Sequence, residues 1–266
     1  MKKVMGKVAL GFILVLVLAS ASYAVTWDLS CGAGTTCTNS GDSYGNERTF
    51  TVGGLTLTAR AFSTGDINGG GNFQTSFLGL YSPNGLGVTS QGLLLLGGDG
   101  LGLFNQHTVD NDGKNDLVVF RFPTSAYIPA SVFLNEFGDT DIVAYVGGNG
   151  LSFSNFTSLS YSSLTSNGFT ACLSGNSGGS ADRSADLSSC NLSGQYLIIG
   201  ANNKSENTDN NDFFKIGSLT ANTSVSVNAS VPEPSAMFLL GFGLIGLRIF
   251  ISYRFNKMKQ LPAKAL

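Results

Sequence analysis

The chain has 266 residues, 42% of them hydrophobic and 12% charged, with 35 glycines, four cysteines and a formal net charge of −2. That near-neutral total hides a division. Between Val25 and Ser230 seven basic side chains stand against sixteen acidic ones, a net of −9, while the other basic residues collect at the two ends. A body so acidic has no basic face with which to follow phosphates, which excludes nucleic acid as a partner.

The first 24 residues have the layout of a secretory signal peptide. Lys2, Lys3 and Lys7 form a basic start, Val8 to Leu18 is almost unbroken aliphatic, and Ser22-Tyr23-Ala24 offers small residues to signal peptidase, with cleavage expected after Ala24 and Ala21 as the alternative site. The apolar run is too short for a permanent membrane helix. All four cysteines, Cys31, Cys37, Cys172 and Cys190, then fall in the exported body. An even count in an oxidising compartment reads as disulfides. Three connectivities are open, of which Cys31–Cys37 with Cys172–Cys190 needs the least chain reorganisation.

From Val25 onward nothing sustains a helical period. Apolar alternation recurs in short bursts: Thr49–Phe62, Asn72–Ser82, Asp116–Phe122, Ala130–Phe137, Asp141–Val146, "GFTACLS", "GQYLIIGA" and "DFFKIGSLTANTSVSV". β-Branched and aromatic residues at period two, bounded by Gly, Asn, Asp and Ser, are a strand signal. Many short strands without a long helix predict an all-β fold, a single β-sandwich or jelly roll of about two hundred residues. Gly53-Gly54 predicts a hairpin turn or a bulge. Gln91–Gln106 reads either as an aliphatic strand with a glycine-rich loop or as an insertion. Asn202–Asp212 reads as a polar surface loop, and Thr220–Ser230 as a short stalk.

Three polar clusters bear on chemistry. His107–Phe120 is the densest. Calcium takes several oxygen ligands from alternating positions of a loop that glycine allows to turn. Asp110, Asp112 and Asp116, with Gly113 between them, fit part of such a loop, and Asp139 and Asp141 of "GDTD" would add carboxylates if adjacent in the fold. The bland alternative is an Asx-rich turn before a buried strand. No EF-hand is present, because Thr108 and Val119 stand where its first and last acidic ligands would be. Ca²⁺ is therefore the one cofactor the residues suggest. In "SGNSGGS" Ser177 resembles a glycine-framed nucleophile, and His107 is the chain's single histidine. No signature surrounds His107 and no strand-to-helix elbow follows Ser177, so the expectation is a protein that is not an enzyme. Asn155, Asn191, Asn203, Asn222 and Asn228 begin N-x-S/T triplets, as expected by chance in so polar a chain.

The C-terminal segment is a motif, a short apolar span and a basic end. Ala236 to Leu247 carries no charge, and Ile249 to Tyr253 extends it past Arg248. An arginine within a span costs about 2.5–3.5 kcal/mol at the centre and less near an end. Arg248, Arg254, Lys257 and Lys259 would act as the membrane stop and hold the C-terminus in the cytoplasm. Pro232-Glu233-Pro234 enforces an extended backbone at the outer edge.

Val231-Pro232-Glu233-Pro234-Ser235, the apolar span and the basic end together resemble the PEP-CTERM sorting signal. "NGLGV", "HTVDN", "DLVVFRF", "FGDTDIVAYV", "YLIIGA" and "NDFFKI" are similar in order to an exosortase-dependent surface-protein domain. The resemblance implies processing by an exosortase, an integral-membrane transpeptidase that recognises Pro232-Glu233-Pro234. It also implies residence in the envelope or biofilm matrix of Gram-negative bacteria, in the company of exopolysaccharide. The expected organisation is a signal peptide (1–24), a β-sandwich surface domain (25–219), a stalk (220–230) and a sorting signal with a transmembrane helix (231–266). The chain would rest transiently in the inner membrane and end at the cell surface or in the matrix. The alternative function is a calcium-assisted carbohydrate-binding module, for which Tyr81, Tyr145 and Trp27 would be platform candidates if they were not core.

Overall fold

The computed structural model describes residues 23–40, 45–66, 69–90, 107–173, 179–202 and 212–223, and, in the tail, 239, 242–244, 247 and 248. The expected signal peptide before Tyr23, the segment 91–106, Ser177, Pro232-Glu233-Pro234, Arg254, Lys257 and Lys259 lie outside the described residues. The chain forms two compact units, Met1–Val225 and Ser226–Leu266.

The first unit is β-structure. In chain order its strands are β1 (Ala24–Asp28), β2 (Thr36–Ser40), β3 (Glu47–Val52), β4 (Leu55–Ser63) and β5 (Gln74–Thr75). Then come β6 (Phe77–Tyr81), β7 (Gly85–Thr89), β8 (Val109–Asp110), β9 (Asp116–Arg121) and β10 (Tyr127–Glu136). The last are β11 (Ile142–Gly147), β12 (Phe169–Leu173), β13 (Arg183–Asp186), β14 (Tyr196–Ala201) and β15 (Phe213–Thr223). They make two antiparallel sheets. The first runs β13-β10-β15-β7-β6, with β1 and β8 also paired to β15; the second runs β12-β11-β14-β9-β4-β3-β2, with β5 on β4.

Both sheets contribute to one buried core. Trp27, Leu86, Val132, Phe214 and Leu219 come from the first, and Phe50, Leu57, Phe120, Ala144 and Leu197 from the second. Trp27 is fully buried, its ring 6.1 Å from Phe122 and 5.8 Å from Tyr127, and its indole N–H donates to the Leu55 carbonyl at 3.1 Å. The period-two pattern explains these faces: in β4 Leu57, Ala59 and Ala61 turn inward while Thr56, Thr58 and Arg60 turn outward. Gly53 and Gly54, at φ of +57° and +82°, form the β3–β4 hairpin turn, a conformation that favours glycine at both positions.

β9 and β14 are buried almost throughout, because the second sheet is covered on its outer face as well. There Leu117, Val119, Tyr196 and Ile198 meet Phe62, Phe73, Phe153, Phe156 and Leu159 in a smaller aromatic core. Its lid is three 3₁₀ turns, Phe153–Ser158, Tyr161–Ser163 and Thr165–Asn167. A 3₁₀ helix repeats every three residues, so Phe153, Phe156 and Leu159 fall on one buried face of a Ser- and Asn-rich segment. Asn155 Oδ1 accepts from the Ser152 N–H at 2.7 Å, and Tyr196 Oη donates to the Leu151 carbonyl at 2.9 Å, fixing the start of the lid.

Cys31 pairs with Cys37 and Cys172 with Cys190, at Cα separations of 5.8 Å and 4.9 Å. β15 continues through Thr223, so the segment read as a stalk begins as strand. In the second unit the described tail residues, Arg248 among them, are helical, and Leu239, Phe242, Leu244 and Leu247 are exposed. No helix among the described residues is long and apolar enough to cross a membrane.

Candidate cation site and sorting signal

The polar loop between β8 and β9 is built by its own side chains. Asp110 accepts from the Asp112 N–H at 3.1 Å and from the Thr108 hydroxyl at 3.2 Å, closing an Asx turn, and Gly113 takes φ +80° to continue it. Asp112 points to solvent, whereas Asp110, Asn111, Asn115 and Asp116 are fully buried. Asn115 is clamped by the Thr64 hydroxyl, which accepts its N–H at 3.0 Å, and its side-chain amide donates to the Asn202 carbonyl at 3.2 Å.

Asn111 carries this loop to the far end of the chain. Its amide donates to Asp212 Oδ2 at 2.6 Å and to the Asn202 carbonyl at 3.3 Å, and its Oδ1 accepts the Asp212 N–H at 3.3 Å. Asp212 and Asn202, which the sequence places in a surface loop, are thus buried anchors at the ends of that loop. The third segment to reach this place is "GDTD", Gly138–Asp141. Asp139 forms an isolated bridge with Asp212, and its carbonyl accepts from the Phe213 N–H at 2.9 Å; the Asp141 carbonyl accepts from the Asn202 N–H at 3.3 Å.

The outcome is a convergence of carboxylates. One oxygen each from Asp139, Asp141 and Asp212 lies within 4.8 Å of the others, with Asp141 and Asp212 buried and Asp139 half-buried. At that separation each pair of charges repels by roughly 3 kcal/mol at an effective dielectric of about 20. Three carboxylate oxygens at this spacing suit a hard cation, which takes oxygen ligands and neutralises the repulsion. Of the residues picked from sequence, Asp139 and Asp141 belong to this group. Asp110 is turned toward its own loop, Asp112 is outside, and Asp116 is buried near Tyr161, whose phenol is pushed well above its usual range by burial, then by Tyr145 and Asp116. Asp212 escaped sequence reading because a polar run of Asn, Ser and Asp carries no periodicity to mark its last residue as buried.

The remaining candidates occupy other places. His107 Nδ1 lies 2.6 Å from the Thr89 hydroxyl, and its ring stacks on Tyr81 at 5.7 Å. Lys215 Nζ lies 4.9 Å from the Tyr81 ring centre and 3.9 Å from that of Phe137. Tyr145 is half-buried beside Tyr161, and Trp27 is a core residue with no accessible platform.

Residues 230–254 match the family model of the PEP-CTERM protein-sorting motif. No curated protein matches the chain. Among solved structures, a DUF4465 family protein from Bacteroides ovatus is similar at 9% identity, over 76% of this chain and 99% of that one, with a TM-score of 0.28. A likeness at that level carries no argument about function. The tail match does: the chain carries a PEP-CTERM sorting motif, which marks an exported protein targeted to exosortase, its processing partner, and anchored transiently at its C-terminus.

Proposed function

We propose that this is a non-enzymatic, jelly-roll-like β-sandwich protein that exosortase delivers to the cell surface or extracellular matrix, where it associates with exopolysaccharide. The match at residues 230–254 carries the reading. In it, signal peptidase cuts after Ala24, Pro232-Glu233-Pro234 is gripped at the outer face of the inner membrane, and Arg248, Arg254, Lys257 and Lys259 stop the tail with its end in the cytoplasm. Replacing Pro232-Glu233-Pro234 by three alanines is expected to leave full-length protein in the inner membrane. Undiminished processing and surface display of that variant would refute the assignment.

A second reading is favoured by the Asp139–Asp141–Asp212 group: a calcium-assisted carbohydrate-binding module. The carboxylates come from the loops before β11 and β15, which belong to different sheets, so Ca²⁺ held between them would brace one end of the sandwich. A ligand present at about 100 times its dissociation constant stabilises the folded state by about 2.7 kcal/mol. The full-length protein is therefore expected to melt several degrees higher in Ca²⁺ than in chelator, and Asp212→Asn is expected to abolish the difference. An unchanged melting temperature on adding Ca²⁺ to the unsubstituted chain would dismiss the metal.

A further inference from the structure

We propose that the outer face of β2, β3 and the first half of β4, with Arg121 at the end of β9, is a binding surface for an acidic, carboxylate-bearing polysaccharide. Alternation builds the face. Cys37, Phe50, Leu57 and Phe120 turn toward the shared core, so their neighbours in sequence turn outward. Register then aligns them. Thr36, Thr51 and Thr56 form one row across three strands, and Thr38, Thr49, Thr58 and Arg121 form the next across four. A third row sets Glu47 beside Arg60. Strands lie about 4.8 Å apart, so the four-strand row is roughly 14 Å long.

The hydroxyls are held in place rather than left to rotate. Thr51 and Thr56 pair at 2.9 Å, and Thr38 pairs with Thr49. Each pair still offers acceptor lone pairs outward. Thr36, Thr38 and Thr56 are exposed and Thr49 and Thr51 half-buried, while Thr58 is buried and serves only to space the row. At the end of the ladder two guanidiniums converge. Arg60 and Arg121 both lie over the Phe153 ring, at 4.7 Å and 5.0 Å from its centre, and Arg60 is paired with Glu47. Sharing one ring restricts both planar forks and keeps them together.

Two of the seven basic side chains in a body of net charge −9 therefore meet beside an ordered array of hydroxyls. The complement is a chain with many hydroxyls and spaced carboxylates: arginine takes carboxylate in a two-pronged hydrogen bond, and threonines exchange hydrogen bonds with sugar hydroxyls. A neutral glycan leaves the charge of Arg121 unused, whereas Arg60 is already shared with Glu47. These residues select the ligand without reference to the sorting motif.

The test is native electrophoresis of the full-length protein in detergent through gels holding alginate as the polyuronate, dextran as the neutral glycan, or polyglutamate. Alginate is expected to retard the protein, less so as salt rises. Arg121→Gln should weaken that retardation roughly tenfold, the loss of one charge-assisted contact. Thr38→Val with Thr56→Val, at exposed strand positions that valine suits, should weaken it severalfold without unfolding the sheet. Equal retardation of all three proteins, or equal retardation by dextran, overturns the inference. So does equal retardation by polyglutamate, which would assign the face to acidic peptides. A protein retarded by alginate yet never displayed at the surface would uphold this face and refute the sorting reading, and the reverse result would do the opposite.

Discussion

Lys215 offers a quantitative test of the packing. It is 2% exposed, between the rings of Phe137 and Tyr81, and burial drags its ammonium pKa from 10.5 to about 8. A shift of that size corresponds to roughly 3 kcal/mol by which the folded state disfavours the charged form. Below pH 8 the folded chain bears that penalty in full. Between the folded and unfolded pKa values the unfolded chain binds more protons, so stability rises with pH. Integrated from about pH 7 to about pH 9.5, the gain is about 2 kcal/mol. Tyr127, Tyr161 and Tyr196, whose phenols burial pushes up, act in the opposite sense only above their unfolded pKa of 10, where stability falls as pH rises. Urea unfolding of the oxidised chain and of Lys215→Met at both pH values isolates the lysine. The substitution removes the penalty at pH 7 and with it the cation–π contacts, worth about 0.5–2 kcal/mol each, so near-neutral stability is expected there. Its pH dependence should be flatter than that of the unsubstituted chain by about 2 kcal/mol. Parallel curves would refute the argument.

Two further outcomes follow from chain geometry. Replacing Cys172 and Cys190 by alanine, which opens a loop of sequence separation 18, should cost about 3 kcal/mol, and the Cys31–Cys37 pair, of separation 6, about 2 kcal/mol, both read from urea midpoints. Gly87→Ala would drive a methyl group into the His107 carbonyl oxygen across the β7–β8 approach, so a loss of about 1–3 kcal/mol is expected by the same measurement.

Alternation made most strands legible: β3, β4, β9, β11, β14 and β15 follow the apolar bursts closely, and the paired glycines marked their hairpin. The 3₁₀ lid over Phe153 and Phe156 was not legible, because a period of three over six residues is indistinguishable from scattered aromatics in a polar loop. The acidic site was half legible. Asp139 and Asp141 stood in a recognisable acidic cluster, but their partner Asp212 is more than 70 residues away and is recruited by Asn111, a connection that exists only once β8 and β15 are paired. The threonine rows escaped notice for the same reason. Each T-x-T triplet is unremarked alone, and the array appears only when register stacks three of them.

Every strand of the first sheet except β13 and β6 depends directly on β15, which pairs with β1, β7, β8 and β10, and β15 is the last strand of the body to leave the cell. Export proceeds from the N-terminus, so β1 crosses the membrane almost the whole length of the body before Ala221 arrives to meet Val25. Until then its edge is open to wrong pairing, and closure of the sheet must wait on contacts of very long sequence separation, which form slowly. The pause imposed by a tail that stops in the membrane falls just after β15 emerges. A tail that stops there would hold the chain at the membrane while the final strand locks the first.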